Sequence, residues 1–439
     1  MSRKFSMGRR RFLKQSGAGV LGAGVAARIP RSSAGQEAAD KAAQPVKIKE
    51  YRLLGRTGFK VSDLGAGYMT DEGLIQTALD AGVNYLDSAE QYPGHHKLLA
   101  KVLKSRDRKS LFLTTKLEVE KDTSKEGFLK RARQCLEDLE TDYIDCLMMH
   151  MPERVETLKT EGFHAAMQEL KAEGRVKHVG VSNHGSFWFR DPEETMEKVL
   201  MSAVEDGRFD VFLMAYNFLK MDEAERVLEA CRERKIGTSI MKSTPVAIYY
   251  SLKSRVEQLE KEKKEIHPLY VDGLKRYKDK MDQAEEFIKK YNLQSQEEIQ
   301  QAALRFVLEN PNVGTICFIA RNYDELERFL GVSGTRLSDW EKAKLAAYRE
   351  GCGELYCRHA CGVCEPACPH GVPVNTIMRY YQYYAGQGRE REAMHYYAAI
   401  PGLRADLCSG CAGHCESACP YHVPIQGMLI VAHSHLAAP

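Results

Sequence analysis

The sequence predicts an α/β fold, a (β/α)8 TIM barrel followed by a small, mainly helical domain rich in cysteine. Three observations predict it. From about residue 51 to 350, short apolar runs alternate with amphipathic segments, the pattern of parallel strands joined by crossover helices. Eight such runs can be counted, the number that closes a barrel of about 250 residues plus insertions. Nine of the 13 cysteines then fall beyond residue 350, in two matched runs.

The strand candidates are 61–68, 83–87, 111–116, 144–149, 178–182, 211–216, 237–241 and 313–319. The helices between them space their apolar residues by three and four, as in Phe128, Ala132, Cys135, Leu136 and Leu139, or Val199, Leu200, Ala203 and Val204. An open doubly wound sheet is the alternative, but no G-x-G-x-x-G follows the first strand. Cys135, Cys146, Cys231 and Cys317 sit on apolar faces and read as small buried hydrophobes. After the seventh strand, residues 246–291 are dense in mixed charge, as in Glu257 to Glu265, and read as solvated helices inserted on the face where the strands end. Lid and decoration are both open readings of that insertion.

Composition narrows the function classes. With 439 residues the chain has room for two or three domains, and 44% hydrophobic with 28% charged residues is ordinary for a soluble globular protein. A net charge of +3 gives no electrostatic footprint of a nucleic-acid binder.

The cysteine runs are Cys357-x3-Cys361-x2-Cys364-x3-Cys368-Pro369 and Cys408-x2-Cys411-x3-Cys415-x3-Cys419-Pro420. Cys357, Cys364 and Cys368 recur 51 positions later, and the flanks repeat as Cys364-Glu-Pro-Ala-Cys-Pro-His-Gly-Val-Pro-Val and Cys415-Glu-Ser-Ala-Cys-Pro-Tyr-His-Val-Pro-Ile, which marks an internal duplication. Thiolates so closely spaced converge only across tight turns, which Gly362, Gly410 and Gly413 permit. Iron-sulfur clusters, zinc and structural disulfides all compete for such cysteines. Zinc prefers paired C-x2-C units across a longer loop, and disulfides require an oxidising compartment. Between the runs, residues 377–400, rich in tyrosine, read as a helix pair packed over the cysteines.

These runs resemble the two-cluster bacterial ferredoxin pattern, each with one inserted residue. The resemblance implies two [4Fe-4S] clusters in a ferredoxin-like domain at 351–439. In that family the fourth cysteine serves the other cluster, which implies Cys357, Cys361 and Cys364 with Cys419, and Cys408, Cys411 and Cys415 with Cys368. Ligation within each run stays open.

At the other end, Arg9-Arg10-Arg11-Phe12-Leu13-Lys14 precedes an apolar, glycine-rich stretch from Gly17 to Ala27. This resembles a twin-arginine export signal, with a disordered basic tail as the bland alternative. The stretch is too short for a transmembrane span, which needs about 20 apolar residues. The resemblance implies export of an already folded, cofactor-loaded protein to the periplasm. Residues 1–46 are then signal and linker, and the barrel occupies 47–350.

Polar residues at three consecutive strand ends carry the chemistry. The second strand runs into Tyr85-Leu-Asp87-Ser-Ala-Glu-Gln-Tyr92, the third ends in Thr114-Thr-Lys116 and the fourth in Met148-Met-His150. With Arg52-Leu-Leu-Gly-Arg-Thr-Gly-Phe-Lys-Val-Ser, Thr141-Asp-Tyr-Ile-Asp, Gly180-Val-Ser-Asn183 and Ala320-Arg-Asn322, the chain resembles an aldo-keto reductase from about residue 51 to 331. The resemblance implies a catalytic tetrad of Asp87, Tyr92, Lys116 and His150. Tyr92 would protonate the alkoxide left by hydride transfer, Lys116 held by Asp87 would lower its pKa, and His150 would orient the carbonyl oxygen. It further implies an NAD(P)H site in which Ser182 and Asn183 bind the carboxamide, Tyr216 stacks on the ring, and Lys242, Ser243, Arg321 and Asn322 approach the phosphates and adenosine. Leu213, Ile319 and Phe329 depart from the family pattern, and the residues that grip a 2′-phosphate are missing.

Two functions follow. One is an oxidoreductase acting on a small carbonyl or alcohol, with electrons linked to the clusters and to a redox partner protein. The other is an exported iron-sulfur electron-transfer or partner-binding protein whose barrel is a non-catalytic scaffold.

Overall fold

The computed structural model describes residues 46–119, 121–183, 194–244, 261, 278–280, 282–286, 288–289, 296–358, 361–386, 389–402 and 404–437. The arginine motif, its apolar stretch, the linker and most of the charged insertion lie outside the described residues.

Eight parallel strands close a barrel. They are β3 (Leu64–Ala66), β4 (Tyr85–Asp87), β5 (Phe112–Glu118), β6 (Ile144–His150), β7 (Val176–Asn183), β8 (Val211–Ala215), β9 (Gly237–Met241) and β10 (Thr315–Phe318), in the order β10-β3-β4-β5-β6-β7-β8-β9. Each strand alternates. In β5 Phe112, Thr114 and Lys116 face the interior, while Leu113 and Leu117 join the layer under the helices. Gly180 of β7 keeps the interior open, because a Cβ there would stand 2.7 Å from Met148 Cγ and from the Val211 carbonyl oxygen.

The first expected strand, 61–68, is two strands. β1 (Tyr51–Leu53) and β2 (Lys60–Ser62) form an antiparallel hairpin, and the barrel begins only at Leu64. The break falls at buried Asp63, whose carboxylate accepts from the Ser333 hydroxyl at 2.7 Å and the Gly334 amide at 2.8 Å. The hairpin plugs the N-terminal mouth, with Leu54 and Val61 packed beneath Tyr85, Phe112 and Val211.

Outside the strands lie α1 (Glu72–Asp80), α2 (His95–Leu103), α3 (Lys125–Asp138), α4 (Glu161–Ala172), α5 (Met196–Asp206), α6 (Asp222–Glu233), α7 (Gln296–Glu309), α8 (Tyr323–Leu330) and α9 (Asp339–Cys352). Several start where a side chain takes an otherwise unpaired amide: Asp71 from Leu74, Ser124 from Gly127, Thr195 from Lys198, and Ser338 from Glu341 in a capping box. Cys135, Cys146 and Cys231 are buried as expected, and Cys317 is partly so.

The C-terminal region adds α10 (Val374–Tyr381), a wide turn Gln382–Gly386, α11 (Glu390–Ala398), α12 (His414–Ser417) and α13 (Ile425–Leu436). Its apolar residues form a second core that also takes in Phe218 and Leu219 from the loop after β8, Ala302 and Ala303 of α7, and Leu345 and Tyr348 of α9. That core therefore crosses residue 350 and seats the cysteine region on the end of the barrel where the strands finish. Among the described residues no helix is long and apolar enough to cross a membrane.

Candidate active site

Three strand ends and one loop bring Asp87, Lys116, His150 and Tyr92 together. Period-two alternation aims Lys116 of β5 inward, and burial leaves its ammonium to donate to Asp87 Oδ2 and to the Ser88 carbonyl, each at 2.6 Å. Thr114, two residues earlier on the same face, donates to the other Asp87 oxygen at 2.7 Å. The Lys116 ammonium lies 5.4 Å from the Tyr92 ring centroid, and the His150 ring stands edge-on to Tyr92 at 6.3 Å.

Burial and the Asp87 carboxylate push the Tyr92 phenol well above its ordinary value, while the Arg389 guanidinium pulls it back. Burial, then Lys116 and Arg379, hold His150 well below the usual histidine range, so the ring is neutral. Its Nδ1 lies within hydrogen-bond reach of Gln91 Oε1. A neutral imidazole carries one proton, and the Gln91 side-chain amide can meet Nδ1 as acceptor through Oε1 or, turned about, as donor through its NH2.

The other expected residues divide. Ser182 and Asn183 are buried at the end of β7, with Asn183 donating to the Pro152 carbonyl at 3.1 Å. Lys242 follows β9 at a positive φ of 57°, its ammonium buried without a hydrogen-bond partner among the described residues, beside buried Ser243. Burial pushes that ammonium well below the usual lysine range. Tyr216 is only 2% exposed, donates to Glu225 at 2.9 Å and packs on Phe306. Arg321 is paired with Glu325 at 3.2 Å, and Asn322 caps α8. Of the departing positions, Leu213 lines the barrel interior and Phe329 packs on Phe318.

The Aldo/keto reductase family matches over residues 67–350. The chain belongs to the aldo/keto reductase family. Among curated relatives, the Bacillus subtilis protein named Uncharacterized oxidoreductase YcsN is 30% identical over 181 residues, 37% of this chain and 57% of the relative. Methylglyoxal reductase DkgB of Escherichia coli O157:H7 is 31% identical over 110 residues, 25% of this chain and 41% of the relative. The chain spans about half the length of the curated relatives it matches. Among solved structures, aldo-keto reductase AKR11C1 from Bacillus halodurans aligns over 68% of this chain and 95% of its own, at 23% identity and a TM-score of 0.48.

Beyond this family's span lie the cysteines. Cys368 of the first run lines one small cavity with Cys408, Cys411 and Cys415 of the second. Cys357, Cys361 and Cys419 are close enough for each thiolate's charge to act on another, and Cys364 feels Cys357 and Cys361. Burial pushes Cys408 and Cys415 up to about 12. None of the 13 cysteines forms a disulfide. Among the described residues no three His, Cys, Asp or Glu side chains converge closely enough for a single ion.

The duplication extends into the supporting side chains. Glu365 accepts from the Asn375 amide at 2.7 Å, and 51 positions later Glu416 accepts from the Gln426 amide at 2.7 Å. The Asn375 side chain approaches Cys357 Sγ at 3.6 Å, while Gln426 donates to the Cys408 and Cys411 carbonyls at 2.6 Å each.

Sequence reasoning passed over Gln91, Tyr68 and Arg389. Gln91 had a signal, its place beside Tyr92. Arg389 had none, because nothing local says that a helix pair 297 positions further along the chain reaches Tyr92.

Proposed function

We propose that the chain is an oxidoreductase that interconverts a small carbonyl and its alcohol at Tyr92, with electrons linked to two [4Fe-4S] clusters in the C-terminal domain. One observation carries the first half: the buried Lys116–Asp87 pair at 2.6 Å beneath Tyr92, with neutral His150 edge-on to the same ring. Two groups flank the place where a carbonyl oxygen would sit, and a closed, water-poor setting strengthens both. Tyr92 gives its proton to the developing alkoxide in reduction and takes it back in oxidation. His150 orients the oxygen through Nε2: the neutral ring holds its one proton there and donates it, with Nδ1 accepting from the Gln91 side-chain amide.

NAD(P)H would supply the hydride. What favours its fit is the Lys242 ammonium, buried without a hydrogen-bond partner among the described residues, where a phosphate would neutralise it. Ser182 and Asn183 would hold the carboxamide. Arg321, committed to Glu325, fits a 2′-phosphate poorly, which favours NADH over NADPH.

For the clusters, support comes from the cavity shared by cysteines of both runs and from the duplicated donors around it. A cluster spreads four thiolates over four irons, so its ligands stand further apart than those of a single ion. The crossing of Cys368 to the second run favours the exchanged pairing over ligation within each run. Export by the twin-arginine route to the periplasm, and a redox partner protein there, complete the reading.

The test is anaerobic purification with iron analysis, visible absorbance and electron paramagnetic resonance, followed by turnover of a carbonyl panel with NADH and NADPH. Brown, iron-containing protein whose turnover falls about a thousandfold in Tyr92→Phe is expected, the usual scale for a lost general acid. Colourless zinc protein would remove the clusters from this account. Redox activity undiminished in Tyr92→Phe would make the barrel a scaffold.

A further inference from the structure

Tyr92 is covered by a residue that lies outside the family's span. The Arg389 guanidinium carbon stands 4.8 Å from the Tyr68 ring centroid, 5.7 Å from that of Tyr92 and 4.6 Å from that of Tyr383. Tyr68 and Tyr92 are themselves 4.4 Å apart. The guanidinium is held in place: its Nε donates to Glu392 Oε2 at 2.8 Å, a second nitrogen donates to Glu392 Oε1, and Glu392 is braced by the Tyr396 hydroxyl at 2.8 Å. The Arg389 backbone amide is fixed too, donating to the Tyr383 carbonyl at 2.9 Å.

We propose that Arg389, presented by the cysteine domain, is a positioning residue of the barrel's active site, a cation laid on Tyr68 and Tyr92 that favours the tyrosinate form of Tyr92. The inference rests on the reading of Tyr92 as the proton donor. A planar guanidinium suits an aromatic face, and its attraction grows when the phenol becomes an anion. Other groups also face Tyr92, and Glu392, paired with Arg389, offsets part of the guanidinium's charge. Lys116 is engaged by Asp87 and Ser88, and Asp87 itself opposes ionisation. His150 and His95, whose rings lie 6.3 Å and 6.2 Å away, are both held neutral by burial. Arg389 is a second cation on Tyr92 beside Lys116, and it comes from beyond the family's span, so the family's barrel is completed by a side chain from the domain that follows it.

The experiment uses the full chain with 3,5-difluorotyrosine at position 92. The fluorines bring the phenol into an accessible range and give one 19F signal whose shift reports its ionisation. In Arg389→Gln the titration moves up by about one pH unit, the scale expected for a cation lost at this distance. Arg389→Lys, which keeps the charge, stays nearer the parent. In the parent tyrosine background, the pH at which alcohol oxidation gains its rate moves up by the same step in Arg389→Gln, because that direction needs the tyrosinate. An unmoved 19F titration in folded Arg389→Gln, or Arg389→Lys shifted as far as Arg389→Gln, would overturn the proposal. Because the fluorine titration needs no turnover, a protein that titrates as expected but reduces no carbonyl sinks the enzymatic reading and leaves the contact standing.

Discussion

The barrel and the cysteine domain bury their backbones by different means. In the barrel, parallel ladders take up the main-chain groups strand by strand, and inward polar residues are confined to the ends, where Asp87, Lys116 and His150 sit. In the cysteine domain the helices are short and buried side chains do that work. Gln426 serves two carbonyls, Asn375 serves that of Arg358, and Arg358 serves those of Gly353 and Tyr356. A ladder is stable through repetition, whereas a set of single side-chain braces depends on each member and on whatever fills the centre.

The largest expected effect separates the two directly. On the proposed cluster reading, Cys415→Ser, or removal of iron from the purified protein, accelerates amide exchange in α10 and α13 by about a hundredfold or more, since a metal centre's binding energy is folding energy for the loops that hold it. Strands β5 and β6 keep their protection. Equal loss in both regions would mean that they unfold as one unit.

Acid acts on the barrel instead. Burial first, aided by Lys116, holds His95 down to about 3 and His96 down to about 4, and both sit at the start of α2. As pH falls below 6.5 the unfolded chain takes up protons that the folded barrel refuses, so stability drops through that window and is regained above it. By pH 5 the two histidines together cost about 4 kcal/mol relative to pH 7.5. Denaturant midpoints measured across that range should flatten in a His95→Gln, His96→Gln double variant.

A smaller effect tests the braces. Gln426→Ala leaves the buried carbonyls of Cys408 and Cys411 without that donor and costs about 2 kcal/mol in thermal or denaturant unfolding of the cysteine domain. An unchanged midpoint would show that another donor replaces the side chain.

The barrel was the more legible region. Short apolar runs between amphipathic segments located all eight of its strands, and the strand ends brought out Asp87, Lys116 and His150 in order. The hairpin was hidden because Lys60–Ser62 and Leu64–Ala66 read as one continuous run, and only the long-range partners of Asp63 divide them. In the second region the duplication was visible in the cysteines, while its supporting pair, Asn375 and Gln426, differs in side-chain length and escaped notice. Arg389 and the core that crosses residue 350 were illegible for one reason. Docking between distant segments leaves no period in either of them.

That shared core has a consequence for synthesis. Phe218 and Leu219 are covered by Tyr348 and by segments that leave the ribosome some 130 to 220 residues later. Until then the nascent barrel carries a greasy rim around an open mouth, an aggregation hazard of the kind that recruits chaperones. The helices of this second core therefore act as a stopper as much as a scaffold for cysteines, and a ribosome stalled before them would hold a barrel prone to stick to its own kind.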